Sequence, residues 1–449
     1  MIPTVAVPLA NAYRGRQAQC SPVLIAPSGT VILLLMAEFR MITLSDTALV
    51  AAYVIFIASY LVFALGKFPG LKIDRPGAAI IGAVAMVAFR IVPAREALHF
   101  IDFSTIVLLF SMMLIVGSLH LVGFFEWSVE FILRRLKPVH LLPAVVFASG
   151  VFSAFFVNDI VCLVMVPFVL AITRRMKLGP LPYLLAVATG SNVGSVATIT
   201  GNPQNMLIGS FSGIAYSDFF FHLGPVALVG LLLNWGVLHW IFMRGRTRHA
   251  STEAIPLPPV DLSHLTKPVV VVAVVIVGFL VGVPPAMVAA LGAAALLITR
   301  TTEPRKLYDE VDWGLLVFFV GLFLIVGGGE NAGIVTRLLA FARHWNLQKL
   351  DVFTLVVAVF SNLVSNVPAV VLLKSLVPGF ADPHTAWLAL AMASTLAGNL
   401  TITGSVANII VVESAKPDVH IGFWNYIRAG FPITLLTILF GWGWLALIR

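Results

Sequence analysis

Apolar residues gather into runs of membrane-spanning length: Thr47 to Leu65, Ser104 to Val122, Phe219 to Met243, Pro268 to Val283, Pro285 to Ile298 and Trp424 to Ile448. Roughly 20 apolar residues cross the hydrocarbon core as a helix, so these runs predict transmembrane helices. Two further apolar stretches are broken by small and polar residues. "TGSNVGSVATITGNPQN" (Thr189 to Asn205) and "STLAGNLTITGSVAN" (Ser394 to Asn408) share Thr-Ile-Thr-Gly, and each of those glycines is followed by Asn four positions on. Glycine weakens a helix and proline removes a backbone donor, so both segments are expected to unwind, the first helped by Pro203. In lipid, unwound backbone survives only where protein or a water-filled cavity satisfies it.

The breaks belong to a longer repeat. "DFSTIVLLFSMMLIVG" (Asp102 to Gly117) resembles "DWGLLVFFVGLFLIVG" (Asp312 to Gly327), and "FSAFFVND" (Phe152 to Asp159) aligns with "FSNLVSNV" (Phe360 to Val367), matching Asn158 with Asn366. Three matches in one order define two halves, Ser45 to Met243 and Lys267 to Arg449. Each half reads as two simple helices, a third running into an amphipathic stretch (Phe124 to Lys137, Ile334 to Gln348), a helix-loop-helix with the Asn near its turn, an interrupted helix and a final intact helix. If the helix-loop-helix enters and leaves on one side, each half makes about five crossings, and an odd number turns the second copy upside down. The expected fold is therefore an all-α integral membrane protein of two inverted repeats with re-entrant hairpins and discontinuous helices. The polar segment Arg244 to Thr266 is its linker, on the cytoplasmic side. Residues 1–44, whose apolar run Val31 to Met36 is too short to span, are expected to form a poorly ordered tail or an over-extended start.

Composition agrees with this solvent. Of 449 residues 59% are hydrophobic and 11% charged, less than half the charged share of a soluble domain, and mean hydropathy is +1.01. The formal charge of +8 does not point to nucleic acid, because the basic residues sit in short loops: Lys67, Lys72 and Arg75; Arg134, Arg135 and Lys137; Arg174, Arg175 and Lys177; Arg244, Arg246 and Arg248; Arg300, Arg305 and Lys306. Short basic loops orient helices with those loops in the cytoplasm, which places the chain in the cytoplasmic membrane with an external N-terminus. Cys20 and Cys162 make no disulfide framework, and no metal-ligand spacing stands out.

The candidate chemistry lies where the repeat buries polarity. Exposed half-helix N-termini favour anions, and unwound carbonyls and helix C-termini can hold a cation. Candidate substrate-binding positions are Asn192, Thr200, Gly201 and Asn205 in the first break, and Asn399, Thr403, Gly404 and Asn408 in the second. The hairpin adds Asn158, Asn366 and Ser365. The competing explanations are that the small residues only let helices pack closely and that the two hairpin asparagines only cap a helix. Asp159, at the head of an otherwise uncharged arm, is a candidate ion-coupling carboxylate or a cap.

The paired hairpin-tip asparagines, paired interrupted helices and two-fold repeat resemble the ion transporter superfamily. "VNDIVCLVMVPFVLAI" resembles the hairpin of arsenite-type permeases, and "STLAGNLTITGSVANIIVVE" resembles citrate-transporter-like anion permeases. The related dicarboxylate symporters carry Ser-Asn-Thr at each hairpin tip. This chain has Val157-Asn158-Asp159 and Ser365-Asn366-Val367, keeping both asparagines and Ser365 but neither threonine. The resemblance implies a secondary active transporter for a small anion, a carboxylate or oxyanion such as citrate or arsenite, coupled to sodium or protons and moving by an elevator-like step. It also suggests a homodimer, for which the Gly278 to Gly282 spacing is a packing cue. A sodium/proton antiporter is the alternative, since Asp159 supplies a titratable group. A membrane-embedded enzyme is remote and a primary pump unsupported: the chain has no His-Glu-x-x-His, Gly-x-Ser-x-Gly or phosphate-binding Gly-x-x-x-x-Gly-Lys motif, and neither a cofactor nor a catalytic group is expected.

Overall fold

The computed structural model describes residues 45–66, 73–125, 127–128, 138–243, 262–299, 303–344 and 346–449. The expected tail and most of both the linker and the first amphipathic stretch lie outside them, the linker's last residues, Leu262 to Thr266, opening a helix. The first half contains α1 (Asp46–Leu65), α2 (Arg75–Ala88), α3 (Phe103–Leu121), α4 (Leu141–Phe155), α5 (Asn158–Arg175), α6 (Leu181–Ser195), α7 (Pro203–Ser212) and α8 (Tyr216–Phe242). The second contains α9 (Leu262–Leu280), α10 (Pro285–Thr299), α11 (Trp313–Asn331), α12 (Ile334–His344), α13 (Leu350–Val364), α14 (Asn366–Leu373), α15 (Pro383–Ala397), α16 (Val406–Ala415) and α17 (Phe423–Leu447). Short helical turns at Ala97–Phe100 and Pro304–Asp309 precede α3 and α11. Among the described residues the second set follows the order of the first, the stretch aligned with α12 (Phe124 to Lys137) lying mostly outside them.

Local chemistry sets the helix ends. Asp102 starts α3, its carboxylate accepting from the Ser104 N–H at 3.2 Å and the Thr105 hydroxyl at 2.6 Å. Asp312 starts α11 the same way, accepting from the Leu315 N–H at 2.9 Å. The aspartate heading each copy of the repeated motif is thus an N-cap that satisfies backbone donors exposed at a helix start. Five described helices, α1, α3, α8, α11 and α17, are long and apolar enough to cross a membrane by themselves. Val50, Val54, Ile57 and Leu61 form an exposed apolar face on α1, and Val270, Val274, Val277 and Val281 one along α9 and its end. Such faces at helical spacing suit contact with lipid.

Packing between the halves is reciprocal. α2 packs on α11 and α3 on α10; α5 packs on α16 and α14 on α7; α6 packs on α16 and α15 on α7; α8 and α17 pack on each other. Each of these contacts has its exchanged counterpart, whereas α13 on α1 and α8 on α9 have none of comparable extent. The centre is formed by α6 and α15, which lack a polar face because protein surrounds them: every residue from Pro182 to Ser195 is buried. α6 reaches α4 through glycine, where a Cβ at Gly194 would lie 2.0 Å from the Gly150 carbonyl oxygen.

Two expectations need correction. Pro203 does not unwind its segment; it is the first residue of α7, where its missing N–H and fixed φ suit a helix start. Gly278 and Gly282 do not share a helix face. A Cβ at Gly278 would meet Val288 of α10 at 2.8 Å, whereas Gly282 lies beyond the end of α9 with φ of 86°. The spacing serves a contact within the chain and a turn.

Candidate functional site

α6 stops at Ser195 and α7 begins at Pro203; α15 stops at Ala397 and α16 begins at Val406. A single turn of 3-10 helix at Ile199–Gly201 and Ile402–Gly404 interrupts each gap. The unwound backbone exposes carbonyls, and one asparagine per break satisfies two of them. Asn205 Nδ2 donates to the Ser195 and Thr198 carbonyls at 3.1 and 3.0 Å. Asn408 Nδ2 donates to the Gly398 and Thr401 carbonyls at 2.6 and 3.0 Å. The first threonine of each Thr-Ile-Thr-Gly ties its break to its own half. Thr198 donates to the Ala154 carbonyl of α4, and Thr401 donates to Asn362 Oδ1 of α13 at 3.3 Å. The glycine ending the motif lets the chain fold back on its helix, since a Cβ at Gly201 would lie 2.2 Å from the Ser195 carbonyl oxygen.

A second polar layer crosses between the halves. Asn192 of α6 donates through Nδ2 to Asn399 Oδ1 and Asn408 Oδ1, both at 2.9 Å. Its Oδ1 accepts from Asn158 Nδ2 and from Ser405 Oγ, both at 3.0 Å. Two donors and two acceptor bonds fill the capacity of an amide. Asn399 Nδ2 continues to the Thr189 carbonyl at 3.3 Å. The exchanged contact starts from Thr395 of α15. Its hydroxyl receives Asn202 Nδ2 at 3.3 Å and Gln204 Nε2 at 3.1 Å, and donates to Asn205 Oδ1 at 3.5 Å. A shift of 203 positions carries Asn192 to Thr395, Asn202 to Ser405 and Asn205 to Asn408 (395 − 192, 405 − 202 and 408 − 205). The same contact therefore occurs twice with the halves exchanged.

The hairpin residues join this network from both sides. Asn158 opens α5 and Asn366 opens α14, and neither caps its helix: the N-cap positions are Val157 and Ser365, without a side-chain cap bond. Asn158 is buried and reaches Asn192, while its Oδ1 has no hydrogen-bond partner. Asn366, with its amide nitrogen turned inward, donates to the Gly404 and Ser394 carbonyls at 3.1 and 3.0 Å and lies 2.7 Å from Ser361 Oγ. Ser365 holds φ of 77° and ψ of 157°, a region that costs a non-glycine residue about 1–3 kcal/mol. Asp159 lies in the first turn of α5, half-buried. Among the described residues no hydrogen bond or ion pair to its carboxylate is seen, so it makes no cap.

Thr200 and Thr403 do not join the asparagines. Thr200 is held by the Tyr216 hydroxyl of α8 at 2.9 Å, and Thr403 is exposed, 3.4 Å from Thr401. The residues sequence reasoning passed over are Asn202, Thr395 and Ser405, although all three lie inside the quoted breaks. Superposing the two Thr-Ile-Thr-Gly motifs and reading outward pairs each with a polar partner. Lys374, just past α14, makes no hydrogen bond to this network among the described residues; its ammonium lies 3.9 Å from the centroid of Phe211 in α7.

Paired broken helices joined by buried amides, inside a shell of membrane-length helices, define the class of polytopic membrane transporters. Residues 53–397 match the family described as Citrate transporter, and the chain belongs to that family. Among its relatives, a Dictyostelium discoideum protein carrying the name transporter arsB is 26% identical over 83% of this chain and 87% of that protein. The silicon efflux transporter of Oryza sativa subsp. japonica is 28% identical over 83% of this chain and 92% of its own length. The crystal structure of the YdaH transporter of Alcanivorax borkumensis has the same fold, with a TM-score of 0.52 at 13% identity over 90% of this chain and 97% of that one. The protein is a multi-pass membrane protein of a transport family.

Proposed function

We propose that the protein is a secondary active transporter in the cytoplasmic membrane that moves a small oxyacid or its anion, coupled to an ion and working by an elevator-like movement. Its halves, Ser45 to Met243 and Lys267 to Arg449, are read as inverted repeats joined by a cytoplasmic linker. In this reading α4–α5 and α13–α14 are re-entrant hairpins entering from opposite sides. The reciprocal contacts support it, since a pseudo-two-fold axis in the membrane plane exchanges elements in this way. Asn158, Asn192, Asn366, Ser365 and the breaks at Gly201 and Gly404 form the substrate site, with Asn205 and Asn408 holding the broken backbone in shape and Asn399 tying the second break to α6. Thr200 and Thr403 act from outside it.

The chemistry of the network supports the substrate class. Among the described residues its polar members are amides, hydroxyls and backbone groups, with no Arg or Lys hydrogen-bonded to them. The N-termini of α7 and α16 supply partial positive charge. A tricarboxylate with three full charges calls for cationic side chains; a singly charged or undissociated oxyacid does not. The observation that carries the reading is the unpartnered Asn158 Oδ1. It calls for a donor or a cation, and an oxyacid retains hydroxyl hydrogens that an ionised carboxylate lacks. The names of the Dictyostelium and rice relatives point the same way. Asp159, whose carboxylate has no hydrogen bond or ion pair among the described residues, favours as a second reading proton or sodium coupling through that carboxylate, in symport or antiport.

Flux into proteoliposomes tests the proposal. Arsenite, silicic acid, sulfate, succinate and citrate are offered under an imposed proton or sodium gradient. Accumulation of an oxyacid in preference to citrate is expected. Accumulation of citrate alone, or sodium/proton exchange without any solute, would overturn the substrate reading.

A further inference from the structure

We infer that Asp218, His222 and His384 form a binding site for a divalent transition-metal ion of the zinc class, bridging the first two turns of α8 and the first turn of α15. Asp218 and His222 are four residues apart on α8, and His384 is the second residue of α15. His384 Nε2 lies 2.7 Å from Asp218 Oδ2. His222 Nδ1 lies 3.0 Å from Asp218 Oδ1 and 2.8 Å from the Asp218 carbonyl oxygen. The imidazole rings sit edge to face with centroids 5.1 Å apart. One ligand atom from each residue falls within 4.8 Å of the other two. Zinc bonds of about 2.0–2.1 Å set tetrahedral ligands roughly 3.3 Å apart, so small side-chain rotations bring the three atoms to bonding distance.

The donor set selects the ion. Two imidazole nitrogens and one carboxylate suit zinc and its neighbours, whereas calcium and magnesium require more oxygen ligands. The side chains of His222, Asp218 and His384 are 30%, 39% and 41% exposed, so an ion and a completing water can enter. The backbone is fixed independently of any ion. The Trp444 indole of α17 donates to the His222 carbonyl at 2.9 Å. Asp382 caps α15 at the Thr385 N–H at 3.2 Å, with Arg449 Nε 3.8 Å from its carboxylate. Helix N-termini repel cations, and the carboxylates of Asp218 and Asp382 counter that field.

This cluster is not the asparagine site. It lies at the opposite end of α15 from the break, about 20 Å away at the rise of an α-helix. Sequence spacing could not reveal it, because His384 lies 166 residues from Asp218. Only its placement on the extracytoplasmic face rests on the proposed topology; the ligand geometry does not.

Equilibrium dialysis of tag-free, metal-stripped full-length protein in detergent against zinc chloride, with element analysis, tests the site. One zinc per chain is expected, with calcium and magnesium not retained. His384→Gln and Asp218→Asn are each expected to weaken binding by about tenfold or more. The His222→Gln/His384→Gln double variant should abolish it, while His420→Gln, at an exposed histidine outside the cluster, should leave it unchanged. An unchanged gel-filtration profile shows that each variant is folded. Wild type that retains no stoichiometric zinc, or a folded double variant that binds zinc as wild type does, would overturn the site and leave a hydrogen-bonded triad, with no bearing on transport.

Discussion

Asn192 makes four side-chain hydrogen bonds, and three of their partners belong to the other half. Asn192→Ala removes all four. Asn399 and Asn408 cannot recover by turning their amides, because their Nδ2 atoms already donate to the Thr189, Gly398 and Thr401 carbonyls. Hydrogen bonds between helices in membranes contribute about 0.6 kcal/mol each, and buried neutral bonds generally about 1 kcal/mol. Four of them give a cost of about 2.5–4 kcal/mol. Thr395, its counterpart, makes three longer bonds of 3.1 to 3.5 Å, so Thr395→Ala should cost less, about 2–3 kcal/mol at most on the same scale. Asn192→Asp keeps the shape but puts an oxygen 2.9 Å from two acceptors, and it should be as harmful as alanine. Melting of purified protein in detergent reads the order: wild type highest, then Thr395→Ala, then both Asn192 variants. An Asn192→Ala melt within about 1 °C of wild type, or a Thr395→Ala variant less stable than Asn192→Ala, would refute the account of Asn192 as the tie between halves.

Four further outcomes are expected. Asn158→Ala and Asn366→Ala should insert normally and lose affinity ten- to hundredfold in flux titrations, the equivalent of about 1.5–3 kcal/mol for a hydrogen bond to a charged ligand; wild-type uptake by both would remove them from the site. Gly194→Ala places a methyl against the Gly150 backbone and should sharply lower the yield of folded protein, whereas Gly236→Ala, with open space around it, should be tolerated; equal yields would contradict the close approach of α4 and α6. Ser365→Gly relieves a positive φ and should raise the melting temperature, while transport falls if the hydroxyl touches substrate; a lower melting temperature would deny the strain. Asp159→Asn should preserve folding and substrate binding but remove the dependence of transport on the driving ion gradient; uphill accumulation with an unchanged ion response would place coupling elsewhere.

Much of the arrangement was legible because it is written twice. The Thr-Ile-Thr-Gly breaks and the Asn158 and Asn366 alignment located the unwound segments and hairpin turns from sequence alone. What was not legible was the division of labour. A threonine that ties a break to α4 and one held by Tyr216 of α8 look alike in a string, so Thr200 was singled out and Thr198 was not. Pro203 shows the same ambiguity: proline can break a helix or begin one, and only the position of the preceding turn decides. Capping of the hairpin by asparagine was plausible from composition and fails on geometry, because both amides turn toward the broken helices.

The repeat also separates what the scaffold needs from what the site adds. Asn205 and Asn408 are matched in identity and in bonding, as satisfaction of exposed backbone carbonyls in an apolar surround requires of both copies. At the hairpin tips the match stops. Val157 faces Ser365 in the alignment, and Asp159 faces Val367. The first tip carries a carboxylate with no hydrogen bond or ion pair among the described residues and an amide oxygen without a donor; the second carries a strained serine and an amide whose nitrogen is taken up by backbone carbonyls. The hairpins share one reciprocal pair of neighbours, α5 on α16 and α14 on α7, but the second hairpin also packs on α1, where the Tyr60 hydroxyl donates to the Pro368 carbonyl at 3.2 Å. A two-fold scaffold with unequal tips presents different groups to a ligand on its two sides. Under the proposed coupling, that asymmetry would let an ion load beside one hairpin while the solute is held against the other.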